Sequence, residues 1–408
     1  LPVTVVTGGP MYTGKCNGRN IVQAEIDIAA IKGDADFLEI AEDYGCPSFG
    51  ACPSMGTANT MQILGEALNL VLPGTATIPA ADSMKLRKCI DAGKFIVDLT
   101  KKGICPEDII TRNVLINTIM LDMAIAGSTN AVLHILAYSR ELGIYITLDD
   151  FDKIADEIKC IAGVIPSGPY SVIDLYESGG VPAVMAQLAS KGLIDTELPT
   201  VTGRTVGENI ADAKILNNDA IRPIDNPYSE TGGIAILWGN IAKNGCVVKR
   251  SAVAPEMMVH EGPARVFDCE EDAISAIYNG KIVPGDVVVI RYEGPKGGPG
   301  MREMLNPKKK SETAVSDFFR CGLSHHCALI RRGDQTRVAV QPAGLDIRLT
   351  RNVLGTACLQ LLVGNIDVYL AVRDVDGDDI AIAQDHVGVG NTVHHGIVDR
   401  CANGSGKP

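Results

Sequence analysis

The sequence predicts an α/β fold, in which an N-terminal α/β domain with a parallel sheet is followed by a β-rich, barrel-like domain. Before about Asn217, apolar residues recur at three- and four-residue steps, which is typical of helices. After it, the apolar segments become short and β-branched, which is typical of strands. A polar stretch from Thr205 to Asn226 separates the two patterns, so we place the domains at 1–210 and 211–408.

Composition narrows the class of protein. The chain has 408 residues and a formal net charge of -12, and this charge argues against binding to a nucleic-acid backbone. It contains no apolar run long enough to cross a bilayer. None of its twelve cysteines falls in a C-x2-C pair, which favours reduced thiols. We therefore expect a cytoplasmic protein that binds neither nucleic acid nor a membrane.

The first element is a short β-branched run, Val3 to Val6, which ends in glycines and predicts a buried strand of the α/β sheet. The following segment, Gly9 to Lys15, satisfies most of the phosphate-binding pattern G-x-x-x-x-G-K. However, Cys16 stands where a hydroxyl should bind magnesium. Nucleotide binding is therefore only a minor alternative at this position.

A Gly- and Pro-rich loop containing Cys52 precedes the next predicted helix, which we expect to stop at Pro73-Gly74. The helix is indicated by apolar residues at helical spacing: Met61, Leu64, Leu68 and Leu72. A cysteine just ahead of a helix N-terminus lies where unpaired amides favour the thiolate, which is the form that binds metals. A buried, inert thiol is the alternative at this stage.

From Asp82 to Gly143 the pattern is helical, with a C-terminal signal at Lys101-Lys102-Gly103 and a second helix around Arg112 to Ala126. The segment Gly127-Ser128-Thr129-Asn130 interrupts an apolar run. Its small polar side chains could cap the next helix or bind a polar ligand, and both interpretations stay open. Two more helices are predicted, from Thr147 to Ile161 and from Gly179 to about Gly192.

The second half is predicted to contain strands separated by Gly, Asn, Asp and Pro. They are Ile234 to Trp238, Cys246 to Val248, Val287 to Ile290, Val338 to Val340 and Val368 to Val372. The third strand runs into a glycine-rich loop, Arg291 to Leu305, which carries the carboxylate of Glu303. Such a loop is either a tight surface turn or a place where backbone amides approach a ligand closely.

Several long motifs occur in one order along the chain. They are G-G-P-M at Gly8, G-A-C-P-S-M-G-T-A-N-T-M at Gly50, L-P-G-T-A at Leu72, A-G-S-T-N-A at Ala126, N-P-Y-S-E-T-G-G-I-A at Asn226, H-E-G-P-A-R-V-F-D at His260 and G-P-G-M-R-E-M-L at Gly298. Together they resemble the motifs of the dihydroxy-acid dehydratase and phosphogluconate dehydratase family, and the resemblance covers Leu1 to about Leu305.

The resemblance implies a homodimer of two-domain subunits that removes water from a small-molecule 2,3-dihydroxy carboxylate to give a 2-keto acid. It implies an iron-sulfur cluster, with the two-iron two-sulfur type favoured, and a magnesium ion. By motif match, Cys52 resembles one of three cluster ligands, and Glu303 resembles a magnesium ligand. Ser128, Thr129 and Asn130 would lie near the substrate.

The chain also departs from the family pattern. The other two cluster cysteines, and the remaining magnesium ligands, belong to a segment that would precede Leu1. The family's serine base has no matching motif here, and spacing alone leads to Thr336 as a substitute. A substrate of branched-chain amino-acid synthesis is favoured over a sugar acid. A catalytically silent relative or scaffold protein without a complete cluster site is the alternative from a different functional class.

Overall fold

The N-terminal part of the molecule is mostly helical. The computed structural model describes residues 1–21, 25–26, 29–30 and 33–294, together with the backbone of four strands between 327 and 371. All but the last of the following helices begin before residue 211. They are α1 Ala35–Tyr44, α2 Thr57–Ala67, α3 Ser83–Lys102, α4 Pro106–Ile109, α5 Arg112–Ala124, α6 Thr129–Glu141, α7 Leu148–Glu157, α8 Val172–Glu177, α9 Gly180–Ser190, α10 Val206–Ile210 and α11 Glu270–Tyr278.

Helix α3 shows how local signals set helix ends. The Asp82 carboxylate accepts a hydrogen bond of 2.7 Å from the Met84 amide and caps the N-terminus. The C-terminus ends at Gly103, whose φ of 68° is the left-handed conformation that glycine adopts without strain. Both ends agree with the sequence prediction. The predicted helices at 112–126 and 179–192 are also confirmed, as α5 and α9.

Two helices end earlier than predicted. Helix α2 ends at Ala67 rather than at Pro73, because Asn69 adopts a φ of 62° and its side-chain amide donates to the Pro199 carbonyl at 2.9 Å. Helix α7 ends at Glu157 because the backbone of Cys160 pairs with a later segment, at residue 229. In both cases the chain leaves the helix to make contacts far away in sequence.

The prediction of a buried first strand is wrong. Val3, Val5 and Val6 are exposed, and the described pairing of this segment is a single parallel bridge between Val5 and Val71. The phosphate-loop alternative is also wrong. A phosphate-binding loop must lead into a helix, whereas Gly14–Cys16 forms strand β1, which pairs antiparallel with β2, Arg19–Ile21.

Helix α5 lies at the centre of the main hydrophobic core and packs against α2, α6 and α7. Val114, Leu115, Ile119 and Leu121 are fully buried on different sides of it. A helix that is buried on most sides cannot be strongly amphipathic, so its interior also has to accommodate polar residues. One of these, Asp122, contributes to the candidate site described below.

The described residues of the second half form a mixed sheet of eight strands, so an α/β class is confirmed in its broad form. The strands are β3 Ala235–Leu237, β4 Cys246–Val248, β5 Glu261–Phe267, β6 Val287–Arg291, β7 Cys327–Arg332, β8 Gln335–Val340, β9 Cys358–Val363 and β10 Ile366–Ala371. Their order is β3-β4-β10-β9-β6-β5-β8-β7, and β5 with β6 is the parallel pair.

The predicted barrel is not confirmed. Strands β3 and β7 stand at opposite ends of the described strand order, so the sheet is open as far as the described residues show. Within the described residues, the parallel sheet predicted for the first domain is likewise limited to isolated parallel bridges, which are Val5 with Val71, Pro10 with Ala51 and Val164 with Tyr170. The domain boundaries at 210 and 211 stay a prediction.

The main core extends beyond residue 210. Ile221, Ile234, Ile236 and Val247 are buried in the same cluster as the helices of the first half. A smaller second cluster joins α11 to β6 through residues such as Ile277 and Ile290. No helix in the described part of the chain is long and apolar enough to cross a membrane.

Candidate functional site

The loop that carries Cys52 is exposed at its thiol and fixed at its backbone. It lies beside the glycine-rich segment near the N-terminus, where the Ala51 amide donates to Gly9 O at 3.0 Å and the Met11 amide donates to Ala51 O at 2.7 Å. Gly50 has a φ of 132°, and a Cβ atom there would lie 2.4 Å from the Met11 nitrogen. The close approach of the two segments therefore requires glycine at this position.

Asn59, near the start of α2, connects this helix to the loop. Its side-chain nitrogen donates to Cys52 O at 2.6 Å and to Ser54 O at 2.8 Å. Its side-chain oxygen accepts from the Gln62 amide at 2.9 Å, and Gln62 in turn accepts from the Gly9 amide. The amide of Asn59 is therefore held in one orientation, with its donor side toward the Cys52 loop.

A polar cluster joins the N-terminus of α2 to that of α6. The hydroxyls of Thr57 and Ser128 lie 2.8 Å apart, and Asn130 Nδ2 donates to Thr57 Oγ1 at 3.2 Å. The Ser128 amide donates to Thr60 Oγ1 at 3.0 Å, and the Ser128 hydroxyl caps α6 by accepting from the Asn130 amide. Ser128 thus caps a helix and also belongs to a polar cluster at the N-terminal end of α2, the end that directly follows the Cys52 loop.

We expect Thr57→Val to lower the free energy of unfolding by about 1–3 kcal/mol, because it leaves the Asn130 amide and the Ser128 hydroxyl without this partner. Urea unfolding followed by circular dichroism measures the change. Thr100→Val is the matched control, since the exposed Thr100 hydroxyl donates only to its own helix, at Ile96 O. Equal stability of the two variants would contradict the prediction.

Asp122 is fully buried in α5, close to this cluster. Burial raises the pKa of its carboxyl from 3.8 to about 8, and the nearby Lys249 ammonium opposes that rise in pKa. Neither carboxyl oxygen has a hydrogen-bond partner among the described residues. A Cβ atom on Gly127 would lie only 1.9 Å from Asp122 Oδ1 and 2.8 Å from Thr60 Cγ2. The glycine at the start of this segment is thus required by the buried carboxyl behind it.

The structure brings some of the predicted site residues together. Cys52 and Ser128, Thr129 and Asn130 all lie around the N-terminus of α2, and the last three are buried. Glu303 lies outside the described residues. Thr336 lies in strand β8, but its side chain is not among the described ones. The roles of all six residues stay predictions.

Three further residues belong to this region and were missed from sequence: Asn59, Asp122 and Lys249. Asn59 lies inside the T-A-N-T-M motif, which marks the segment but not the contact that its side chain makes. Lys249 Nζ donates to Met55 O at 3.1 Å across 194 residues of chain. The local signal that could have indicated Lys249 is a charged residue directly after an apolar run, in the C-V-V-K segment at Cys246.

An iron-sulfur cluster or a magnesium ion needs several thiolate or carboxylate ligands in one place. In the described ranges, no three His, Cys, Asp or Glu side chains converge. The exposed thiol of Cys52, on a loop held by its backbone, fits a role as one cluster ligand. Further ligands would have to come from outside the described residues.

Comparison with known proteins agrees with the motifs. Residues 1–209 match the family model described as Dihydroxy-acid/6-phosphogluconate dehydratase N-terminal, and residues 219–333 match the corresponding C-terminal model. Proteins named dihydroxy-acid dehydratase match the chain over 82% of its length. The one from Caldanaerobacter subterraneus subsp. tengcongensis is 50% identical over 339 residues, and the one from Carboxydothermus hydrogenoformans is 47% identical over 339.

The relative from Ignicoccus hospitalis, also named dihydroxy-acid dehydratase, is 45% identical over 337 residues. The matched region makes up 60% of the length of each of these three relatives. Two family models in the expected order, together with identities at this level, leave no competing assignment. The chain belongs to the dihydroxy-acid/6-phosphogluconate dehydratase family.

Proposed function

We propose that this protein takes part in removing water from a 2,3-dihydroxy carboxylate to give a 2-keto acid. The observation that carries the proposal is the 45–50% identity to proteins named dihydroxy-acid dehydratase. The reaction removes hydroxide from C3 and a proton from C2, and the resulting enol tautomerises to the keto acid. A branched-chain substrate is favoured over a sugar acid. Homodimeric assembly and a cytoplasmic location belong to the same proposal.

The cluster of Ser128, Thr129 and Asn130 would bind the polar groups of the substrate. Asn130 Oδ1 is buried and has no hydrogen-bond partner within the described part of the chain, so this oxygen still has capacity to accept a hydrogen bond. Hydroxyl and amide groups held by neighbouring side chains can orient a dihydroxy acid without a large rearrangement.

The cofactor part of the proposal is carried by the family resemblance. Cys52 would provide one ligand of an iron-sulfur cluster, with the two-iron two-sulfur type favoured, and Glu303 would bind magnesium. When bound, such a cluster with an open iron position supplies the Lewis acid that a hydroxide leaving group needs. Thr336, placed by spacing alone, is the proposed proton acceptor.

The proposal is tested by substituting Cys52 in the protein expressed from its complete gene. We expect Cys52→Ser to lose the visible absorption of the cluster and the dehydration of 2,3-dihydroxyisovalerate by at least about a hundredfold, as is typical when a metal site is disturbed. Cys46→Ser is the matched control, because Cys46 is exposed in the same region but carries no proposed role.

The outcomes separate the functional classes. A Cys52→Ser protein that keeps its cluster and its activity would contradict the ligand role. A wild-type protein that binds no iron and turns over no dihydroxy acid would instead support the silent-scaffold alternative. Turnover of a sugar acid in preference to the branched-chain substrate would keep the reaction and change the substrate.

A further inference from the structure

Four consecutive carbonyl groups in the Cys52 loop each accept a hydrogen bond from another part of the chain. Asn59 donates to Cys52 O and Ser54 O, the Val172 amide donates to Pro53 O at 2.8 Å, and Lys249 Nζ donates to Met55 O at 3.1 Å. The Met55 amide also donates, to Ile165 O at 2.7 Å. The loop backbone is therefore held from several sides.

The two side-chain donors are themselves buried and fixed. Asn59 is 2% exposed, and its hydrogen bond from Gln62 determines which end of its amide faces the loop. Lys249 is 8% exposed and directly follows β4, so the sheet half of the molecule delivers its ammonium to the loop. The ammonium also lies near the buried carboxyl of Asp122.

The backbone of the loop and the side chain of Cys52 lie in opposite environments. The four carbonyls are engaged by donors from inside the molecule, whereas the Cys52 thiol is exposed. A surface loop that served only as a connection would not need a buried lysine and a buried asparagine to fix its carbonyls. Ligands and reactive thiols, in contrast, depend on supporting contacts that fix their direction.

We propose that Asn59 and Lys249 are positioning residues, which hold the Cys52 loop in one conformation and so fix the direction of the Cys52 thiol. Lys249 makes this support depend on the correct docking of the segment after β4 onto the first half of the chain. The functional meaning of the inference rests on the proposed role of Cys52. The loop contacts themselves can be tested without any cofactor or substrate.

The test compares Lys249→Met with Lys249→Arg and with the control Lys85→Met. Lys85 is also buried, at 6% exposure, and its ammonium donates to Thr75 O at 2.7 Å and to Thr7 Oγ1 at 3.4 Å, neither of which lies in the Cys52 loop. Hydrogen exchange followed by mass spectrometry with residue-level fragmentation reports on the amides of Met55 and Val172. The helical amide of Leu115, which donates to Thr111 O, reports on global opening.

We expect exchange at Met55 and Val172 to become at least about tenfold faster in Lys249→Met, the change that losing one hydrogen bond to a charged donor produces. Lys249→Arg should restore most of the protection, and Lys85→Met should leave these two amides at the wild-type rate relative to Leu115. Unchanged exchange, or acceleration only in proportion to Leu115, would overturn the proposal.

A second measurement addresses the thiol itself, in protein that has taken up the cluster. Lys249→Met should change the electron paramagnetic resonance spectrum of the reduced cluster, whereas Lys85→Met should not. If exchange at Met55 and Val172 became faster but the spectrum stayed unchanged, the loop contacts would not fix the direction of the Cys52 thiol, and this part of the proposal would be refuted. Because the exchange experiment needs no cluster, failure of the proposed dehydratase function remains distinguishable from failure of this inference.

Discussion

Gly127→Ala is expected to lower the free energy of unfolding by about 3 kcal/mol, at the upper end of the range for overpacked cores. The added methyl group would lie 1.9 Å from Asp122 Oδ1 and 2.8 Å from Thr60 Cγ2. Asp122 is fully buried and its side chain is short, so it cannot swing away as a surface side chain could. Thermal and urea unfolding measure the loss of stability.

Gly93→Ala provides the matched control for this prediction. Gly93 lies exposed within α3, and no atom would come within 4 Å of a new Cβ atom there. Because alanine is the better helix former, this variant should gain about 0.5–1 kcal/mol. If Gly127→Ala were as stable as Gly93→Ala, the close packing of Gly127 against Asp122 would be refuted.

The second large effect concerns pH. Burial raises the pKa of Asp122 to about 8 in the folded protein, whereas its ordinary value is 3.8. Between these two values the folded state binds a proton that the unfolded state does not, so stability falls as the pH rises from about 4 to 8. Below this window the effect is absent, and above it the full loss is reached.

Asp122→Asn should therefore flatten the dependence of stability on pH. Between pH 7 and pH 8 we expect the wild type to lose about 1 kcal/mol per pH unit more than the variant. Glu66, whose pKa burial raises to about 7, also titrates in this interval, but it is present in both proteins and its contribution cancels in their comparison. Urea unfolding at pH 7.0, 7.5 and 8.0 gives the slopes, and parallel slopes would show that Asp122 does not titrate in this range.

Local signals in the sequence were sufficient for most of the helices and strands. Asp82 and Gly103 bound α3 through contacts made within a few residues, so pattern and capping chemistry predict its ends. Five short β-branched segments, which correspond to β3, β4, β6, β8 and β10, were likewise predicted from composition and turn residues, whereas β5, β7 and β9 were missed. The exposed run Val3 to Val6 was not, because a β-branched segment looks the same at a surface as in a core.

The candidate site was predictable only where a motif marks it. Cys52 and the segment Ser128 to Asn130 stand in recognisable patterns, and the structure places both around one helix N-terminus. The role of Lys249 depends on a contact with Met55, 194 residues away in sequence, and a local pattern cannot predict such a contact. The influence of Lys249 on the pKa of Asp122 is equally nonlocal, because it depends on the fold bringing these two residues close together.

The main core continues past residue 210, and this determines where segments could be exchanged between members of the family. The two homology segments meet between 209 and 219, yet Ile221, Ile234, Ile236 and Val247 fill the interior of the first one. In a chimera joined at that point, the core side chains before the junction would come from one parent and the side chains that pack against them from the other. The interchangeable unit of this protein therefore includes the start of the second segment, and a boundary between recognisable sequences is not a boundary between independently packed interiors.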